Sequence, residues 1–298
     1  MDFAAHVIDR KDVNTMITGY LIEKYNNMGN AYTCNRLLEE AKNLGIDLQM
    51  IGACDSFLTD EGVINQGKVL EKRDFVILRY KGDLLRTEMS NLGRYCFNSE
   101  EAYRTYMNKY QQVKRLHSDE FLIPRYMMGT CEIGYETVAK RLGRVFVVKG
   151  LESSMGREIW LIGNADEYAI WELKQRKDKE FLYEEFIQGS AGVDMRLYVL
   201  RGEVIGAMKR ISDGDFRTNV ALGATTEKLE ITESFKKIGR DLYEQTGLDA
   251  MGIDLLYGDS KPYLCEINVM PGIKGMESTT GVNVAGRLMQ FVKDTVRE

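Results

Sequence analysis

The chain has 298 residues, with 40 Lys and Arg against 45 Asp and Glu, a formal net charge of −5. The acidic balance argues against sequence-independent nucleic-acid binding, and 44% hydrophobic with 29% charged residues excludes a chain disordered throughout. No apolar run approaches the ~18 residues of a membrane span, Met1-Asp2-Phe3 opens no targeting peptide, and five scattered Cys with two His make neither a disulfide framework nor a zinc site. The expectation is a cytoplasmic globular enzyme of two domains, or three small ones.

In chain order, Gly19 to Ile22 reads as a short buried strand. Residues Tyr32 to Leu44 carry Leu37, Leu38, Ala41 and Leu44 at helical spacing, stopped by Gly45 where a left-handed residue is needed. Leu48 to Ile51 and Asp74 to Leu78 read as further strands, so a small α/β unit with a parallel sheet should end near Asn98. Ser99 then caps a helix whose apolar stripe is Tyr103, Tyr106, Tyr110 and Val113. Arg144 to Lys149 and Glu158 to Ile162 are strands around the polar loop 150–157, and Asn164 caps a helix carrying Trp171. Val193 to Leu200 and Glu203 to Arg210 flank the two-residue turn Arg201-Gly202. Met251 to Tyr257 and Tyr263 to Val269 form another hairpin. Helices follow over about Thr232 to Gln245 and from Val282 to the end, while Ile273 to Thr280 reads as loop. The expected division is 1–98, 99–180 and 181–298.

Side chains alternate along a strand, so Glu266 and Asn268 share a face. Pairing Tyr257 with Tyr263 puts Asp254 opposite Glu266. Two carboxylates about 4 Å apart repel by about 4 kcal/mol at an effective dielectric of ~20, unless one is protonated or a cation sits between them. With Asn268 they form an all-oxygen set suited to Mg²⁺. The same pattern also suits surface carboxylates on an exposed sheet face. The apolar neighbours Met251, Ile253, Leu255, Leu264 and Ile267 favour a cleft instead. Arg210 and Arg217, with Thr218 and Asn219, flank a Gly-containing loop and could present guanidinium groups to phosphate, the alternative being a solvated loop. Asp194, Arg196 and Tyr198 share a face, and pairing Leu200 with Glu203 sets Lys209 opposite Asp194 as a cross-strand ion pair compatible with ligand binding. Lys149 ends an apolar strand before a loop of small residues, where it could approach polyphosphate. Neither His has a Ser or Cys with an acid beside it, which disfavours a triad hydrolase.

Taken in order, Val147-Val148-Lys149, Tyr183-Glu184-Glu185-Phe186-Ile187, Val193-Asp194-Met195-Arg196, Asp215-Phe216-Arg217-Thr218-Asn219, Gly252-Ile253-Asp254 and Glu266-Ile267-Asn268-Val269-Met270-Pro271-Gly272 resemble the ATP-grasp fold. More narrowly they resemble its RimK-like glutamate ligases, as does Thr279-Thr280-Gly281-Val282-Asn283-Val284-Ala285. The resemblance implies an α/β (α+β) architecture with an N-terminal Rossmann-like pre-ATP-grasp domain and two subdomains clasping ATP. It further implies Lys109, Lys149, Glu185, Phe186, Asp194, Lys209, Arg217, Thr218 and Asn219 at the nucleotide. Asp254, Glu266 and Asn268 would hold Mg²⁺ or Mn²⁺ (two ions), and Arg210 and Arg217 would act on the transferring phosphate. Arg79, at the end of a strand of the first domain, and Arg196 are the candidates for substrate. The implied activity joins an amine, glutamate or another amino acid, to a carboxylate acceptor through an acyl phosphate; the acceptor would be a small molecule, a peptide or a protein tail. The implied assembly is a dimer or tetramer without nucleic acid or membrane. The rival expectation is a catalytically silent ATP-binding module serving a partner. Two departures from the family pattern stand out: Met155-Gly156-Arg157 where two glycines are usual, and Met270 where Ser is usual.

Overall fold

The computed structural model describes residues 16–27, 31–153, 157–218 and 223–298. Its first part is a four-stranded parallel sheet in the order Asp47–Gly52, Thr18–Glu23, Arg73–Leu78, Gly93–Phe97. Leu21, Ile22, Val76 and Ile77 are buried, as strands covered on both faces require. The helix Ala31–Asn43 buries Cys34, Leu37 and Ala41, and the chain leaves it through Gly45 at φ +72, where a side chain would be strained. That helix packs on the last one, Val284–Arg297, and Lys293 Nζ donates to the Leu44 carbonyl at 2.9 Å. The short strands Ser56–Thr59, Gly62–Asn65 and Lys68–Val69 add a small antiparallel sheet. With only two to four residues each, and Phe57 and Leu58 exposed, they leave no alternation to read. The helix Asp83–Ser90 also lies outside the elements read from the pattern.

The single helix expected after Ser99 is two helices, Glu100–Tyr106 and Lys109–Arg115. Ser99 caps the first by accepting from Ala102 N. Asn108 starts the second, its Oδ1 accepting from the backbone N–H of Tyr110 and Gln111 at 3.0 and 3.3 Å. An apolar stripe at helical spacing does not reveal this break, because Tyr103 and Tyr106 of the first helix and Val113 of the second are all buried. Asn108→Ala should cost about 1 kcal/mol, read as a lower urea midpoint at unchanged slope. No change in midpoint would show that the cap is not needed there.

An antiparallel sheet follows in the order Ile159–Ile162, Phe146–Gly150, Glu180–Glu185, Tyr126–Thr130. The helices Tyr135–Leu142 and Ala165–Glu172 accompany it, the second capped by Asn164. Phe146, Trp171, Phe181 and Tyr183 give it a core of its own. The strand Glu180–Glu185 straddles the expected division at 180.

The last sheet is antiparallel, in the order Thr225–Lys228, Glu203–Ile211, Val193–Leu200, Ala250–Leu256, Tyr263–Asn268. Arg201 at φ +46 and Gly202 at φ +80 make the two-residue turn, whose left-handed conformations match the twist of the strands. Leu200 pairs with Glu203 as expected, but a bulge shifts the register, and Asp194 lies opposite Arg210 rather than Lys209. The expected Lys209–Asp194 pair is therefore wrong by one residue, and that slip turns Lys209 to the other face, 3.9 Å from Glu227. In the next hairpin Leu256, not Tyr257, pairs with Tyr263. A second bulge absorbs the difference, so Asp254 still lies opposite Glu266. Residues 274–280, read as loop, form the helix Lys274–Thr280. This sheet shares one core with the first part of the chain, from Tyr20 and Tyr103 to Leu197 and Ile253. Asn98 ties the two together by exchanging hydrogen bonds with Ala250 and donating to Val269 O at 2.9 Å.

Asp249, just before the strand Ala250–Leu256, gives the fold a pH dependence. Burial pushes its carboxyl up to about 6, against an opposing pull from Arg201. An unfolded Asp titrates near ~3.9, so between about pH 4 and 6 the folded state holds the extra proton. Its contribution is complete below that window and is lost as pH rises through it. Asp249→Asn should therefore gain roughly 2–3 kcal/mol over wild type at pH 7 and much less at pH 4, measured by urea unfolding. Equal gains at both pH values would contradict the assignment.

Candidate active site

The C-terminal sheet meets the central one at Lys149, whose Nζ lies 2.5 Å from Glu184 Oε2 on its own sheet and 3.3 Å from the Cys265 carbonyl on the other. Around this junction charged groups are buried in pairs. Arg196 grips Asp254 through two hydrogen bonds, the Nε one at 2.6 Å. Arg210 lies between two acids, donating to Asp194 Oδ1 at 2.7 Å and lying 3.0 Å from Asp254 Oδ2. Lys109, at the start of its helix, places Nζ 3.2 Å from Glu266 Oε2. Antiparallel pairing of Val193–Leu200 with both neighbours puts Asp194, Arg196, Arg210, Asp254 and Glu266 on one face. Buried ionic groups persist only when paired. Here the carboxylates of Glu184, Asp194, Asp254 and Glu266 are matched by Lys109, Lys149, Arg196 and Arg210.

The electrostatics follow from these contacts. Burial pushes against ionisation of Asp254, but Arg196 and Arg210 outweigh it and hold the carboxyl below the usual range. Burial likewise opposes the charge on Glu266, and Lys109, Lys149 and Arg196 together outweigh it and hold the carboxyl below the usual range. Lys149 keeps its charge although burial disfavours it, because Cys265 and Glu184 beside it raise the ammonium above the ordinary lysine range. Both carboxylates that face each other across the hairpin are thus ionised at neutral pH.

Those two carboxylates converge. Asn268 Nδ2 lies 3.2 Å from Asp254 Oδ2 and 3.2 Å from Glu266 Oε1, so one point sits within reach of an oxygen from each. Among the described residues no three His, Cys, Asp and Glu side chains gather as a metal set, so a cation here would rely on these two acids and the Asn268 amide. Hard oxygen donors of that kind suit Mg²⁺, and the residues fit once the Asn268 amide turns to present Oδ1 in place of the Nδ2 that donates to both acids. Glu184 Oε1 is buried with no hydrogen-bond partner among the described residues, an acceptor left for a ligand.

The other expected residues are placed as follows. Glu185 accepts from Arg125 Nε at 2.7 Å, and Phe186 meets Phe216 edge-on at 6.5 Å, which joins the central sheet to the 215–218 segment. Thr218 donates to Asp194, while the Arg217 guanidinium lies on Asp215, Nη2 to Oδ2 at 2.6 Å. Arg79 pairs with Glu23 at 2.6 Å and points Nη1 at Pro271 O, 3.4 Å away, just beyond Asn268. Asn219 lies outside the described residues, as do 154–156 of the loop. Lys209 is not brought to the cluster. Sequence reasoning missed Glu184 and Gln112. Glu184 had a signal, a carboxylate in the apolar run Phe181-Leu182-Tyr183, which demands a buried partner. Gln112 had none: it exchanges hydrogen bonds with the Ile267 backbone at 2.7 and 2.9 Å, and so fixes the strand that carries Glu266 and Asn268.

Two α+β sheets meeting at a buried, charge-balanced junction are the arrangement of the ATP-grasp fold. The family model described as "RimK-like ATP-grasp domain" matches residues 108–292. The chain belongs to that family, whose members form C–N bonds while converting ATP to ADP. A protein of Haemophilus influenzae named "Probable alpha-L-glutamate ligase" is 23% identical over 282 residues, 88% of this chain and 93% of its own. Among solved structures, the ATP-grasp ligase PsnB complexed with minimal precursor superposes with a TM-score of 0.71 at 17% identity, covering 94% of this chain and 99% of that one. D-alanine–D-alanine ligase from Bacillus anthracis gives 0.70 at 16% identity, covering 95% and 98%. No helix among the described residues is long and apolar enough to cross a membrane.

Proposed function

We propose that this chain joins an amino acid, glutamate first among candidates, to a carboxylate acceptor by way of an acyl phosphate, using ATP. The observation that carries the reading is the convergence of Asp254 and Glu266 on one point beside Asn268, inside a ring of paired cations. A catalytically silent module has no need to hold two ionised carboxylates face to face at that cost. The relatives named above are, by their names, a probable glutamate ligase, a ligase complexed with a minimal precursor and a D-alanine ligase. A peptide, a protein tail or a small molecule therefore all belong in the acceptor panel.

Asp254, Glu266 and Asn268 would hold Mg²⁺, two ions in this reading, and the metal would supply neutralisation of charge on the nucleotide phosphates. The chain's own groups do the rest. Lys109 and Lys149 come from the two sides of the junction and set positive charge along the phosphates. Asp194, fastened by Arg210 and Thr218, keeps the 215–218 segment against the sheet, and with it Arg217. The backbone at Glu185 and Phe186 closes the adenine end. Arg210 and Arg217 face the developing charge of the transferring phosphoryl group, where fixed donors in a dry site act most strongly, and Arg196 stands on the substrate side. Arg79, aimed at the segment after Asn268, receives the acceptor carboxylate.

In this reading unit 1–98 carries the acceptor, 99–180 one side of the nucleotide, and 181–298 the metal with the other side of the nucleotide. Incubation of the protein with ATP, Mg²⁺, a panel of carboxylates and a panel of amino acids tests the reading. ADP should form only when both an acceptor and an amine are present, with a product whose mass is their sum less water. ADP formation indifferent to either addition would remove the ligase reading.

A further inference from the structure

Lys81 stands just beyond the strand Arg73–Leu78, and its Nζ donates to the Glu152 carbonyl at 3.1 Å. Glu152 belongs to the loop that follows Lys149. The same loop is held from another side by Lys109, whose N–H donates to Leu151 O at 2.8 Å and whose Nζ donates to Ser153 O at 2.6 Å. Two lysines from different parts of the chain thus reach one stretch of loop. The position of Lys81 is fixed from behind. The fully buried Arg86 donates to the Lys81 carbonyl at 2.9 Å and is itself held by Glu100 at 3.2 Å and stacked over Tyr103.

The charge around Lys81 is out of balance. Lys109, Lys149, Arg196 and Arg210 each meet a carboxylate, but among the described residues Lys81 makes no ion pair. Its ionic neighbours are the cations Lys109 and Arg157 and the acids Glu266 and Glu152. A backbone carbonyl is a weak substitute for a counter-ion at a half-buried ammonium. Burial first, and then the charge on Lys109, pull Lys81 below the usual lysine range. A cation in that state gains when an anion arrives.

We infer that Lys81 binds the γ-phosphoryl group of ATP from the N-terminal unit, taking a terminal phosphate oxygen in place of the Glu152 carbonyl. The inference rests on the nucleotide reading above and adds to it a residue that no motif assigns. Lys81 meets the γ end because it neighbours Glu266, at the proposed metal, and Lys109, and because it comes from the unit proposed to hold the acceptor. The α and β phosphates lie toward Lys149 and the adenine end in the same reading. Lys81 would therefore distinguish ATP from ADP and couple nucleotide state to the seat of the acceptor.

Calorimetric titration with Mg²⁺ present compares the non-hydrolysable analogue AMPPNP with ADP on the full chain, wild type against Lys81→Met and Lys81→Arg. Lys81→Met should weaken AMPPNP roughly tenfold or more and leave ADP within about twofold, and Lys81→Arg should keep the wild-type preference. Equal weakening of both nucleotides would assign Lys81 to holding the loop through Glu152, and no weakening of either would exclude it from the phosphates; each outcome overturns the inference. Wild-type protein that binds neither nucleotide would instead end the underlying nucleotide reading, before any variant is compared. If Lys81→Met melts at a lower temperature than wild type, Lys81→Gln, which keeps a donor without the charge, carries the same comparison.

Discussion

Glu266→Gln should lower Mg²⁺-dependent ADP formation by at least about a thousandfold while leaving the protein folded. Gln matches the volume of Glu266 and can still hydrogen-bond Asn268, so the strand Tyr263–Asn268 has no reason to move. What is lost is charge. One of two carboxylates around the common point disappears, and among the described residues Lys109 is left with the Ser153 carbonyl as partner of its Nζ. A cation held by one carboxylate and one amide is bound far more weakly, and raising Mg²⁺ should recover part of the rate. Melting within a few degrees of wild type, with activity gone, is the expected pair of results. Full activity at ordinary Mg²⁺ would remove Glu266 from the site.

Arg210→Met should have the largest effect on stability, a loss of about 3–5 kcal/mol. Arg210 is buried and serves two acids, Asp194 and Asp254, which then face one another with Arg196 alone to compensate. Met fills much of the space but cannot offset the charge, and uncompensated buried carboxylates are costly. Thr218 still donates to Asp194, which moderates the loss without replacing a guanidinium. Adding Asp194→Asn to Arg210→Met should restore part of the stability, because it removes one of the two stranded charges. The test is urea unfolding of wild type, both single variants and the double variant. A loss under about 1 kcal/mol for Arg210→Met would show that the pair is solvated rather than buried.

The parallel strands, the Gly45 stop, the Ser99 and Asn164 caps and the Arg201-Gly202 turn were legible in the sequence, because each rests on a local rule that acts over a few residues. The opposition of Asp254 and Glu266 was legible too, although by a route one residue out: the bulge between Asp254 and Tyr263 moves the start of the pairing and leaves its far end alone. Where no such compensation exists the register reading fails. The bulge between Tyr198 and the turn hands Asp194 to Arg210, and nothing in Glu203 to Arg210 announces it. Short elements such as Lys274–Thr280 were silent because seven residues carry too little period. The pairing of Lys149 with Glu184, and the reach of Lys81 to Glu152, join strands and loops far apart in the chain. The RimK-like resemblance named the ATP-grasp arrangement where local rules could not, and the family model now bears it out over residues 108–292.

Oxygen tracing tests transfer of phosphate to a carboxylate most directly. An acceptor identified from the panel is labelled with ¹⁸O in its carboxylate and turned over with ATP, Mg²⁺ and the amino acid, and the released phosphate is weighed by mass spectrometry. Passage through an acyl phosphate predicts that one labelled oxygen leaves on inorganic phosphate, with ADP as the nucleotide product and a single labelled oxygen left in the amide. Unlabelled phosphate, or AMP with pyrophosphate, would contradict it.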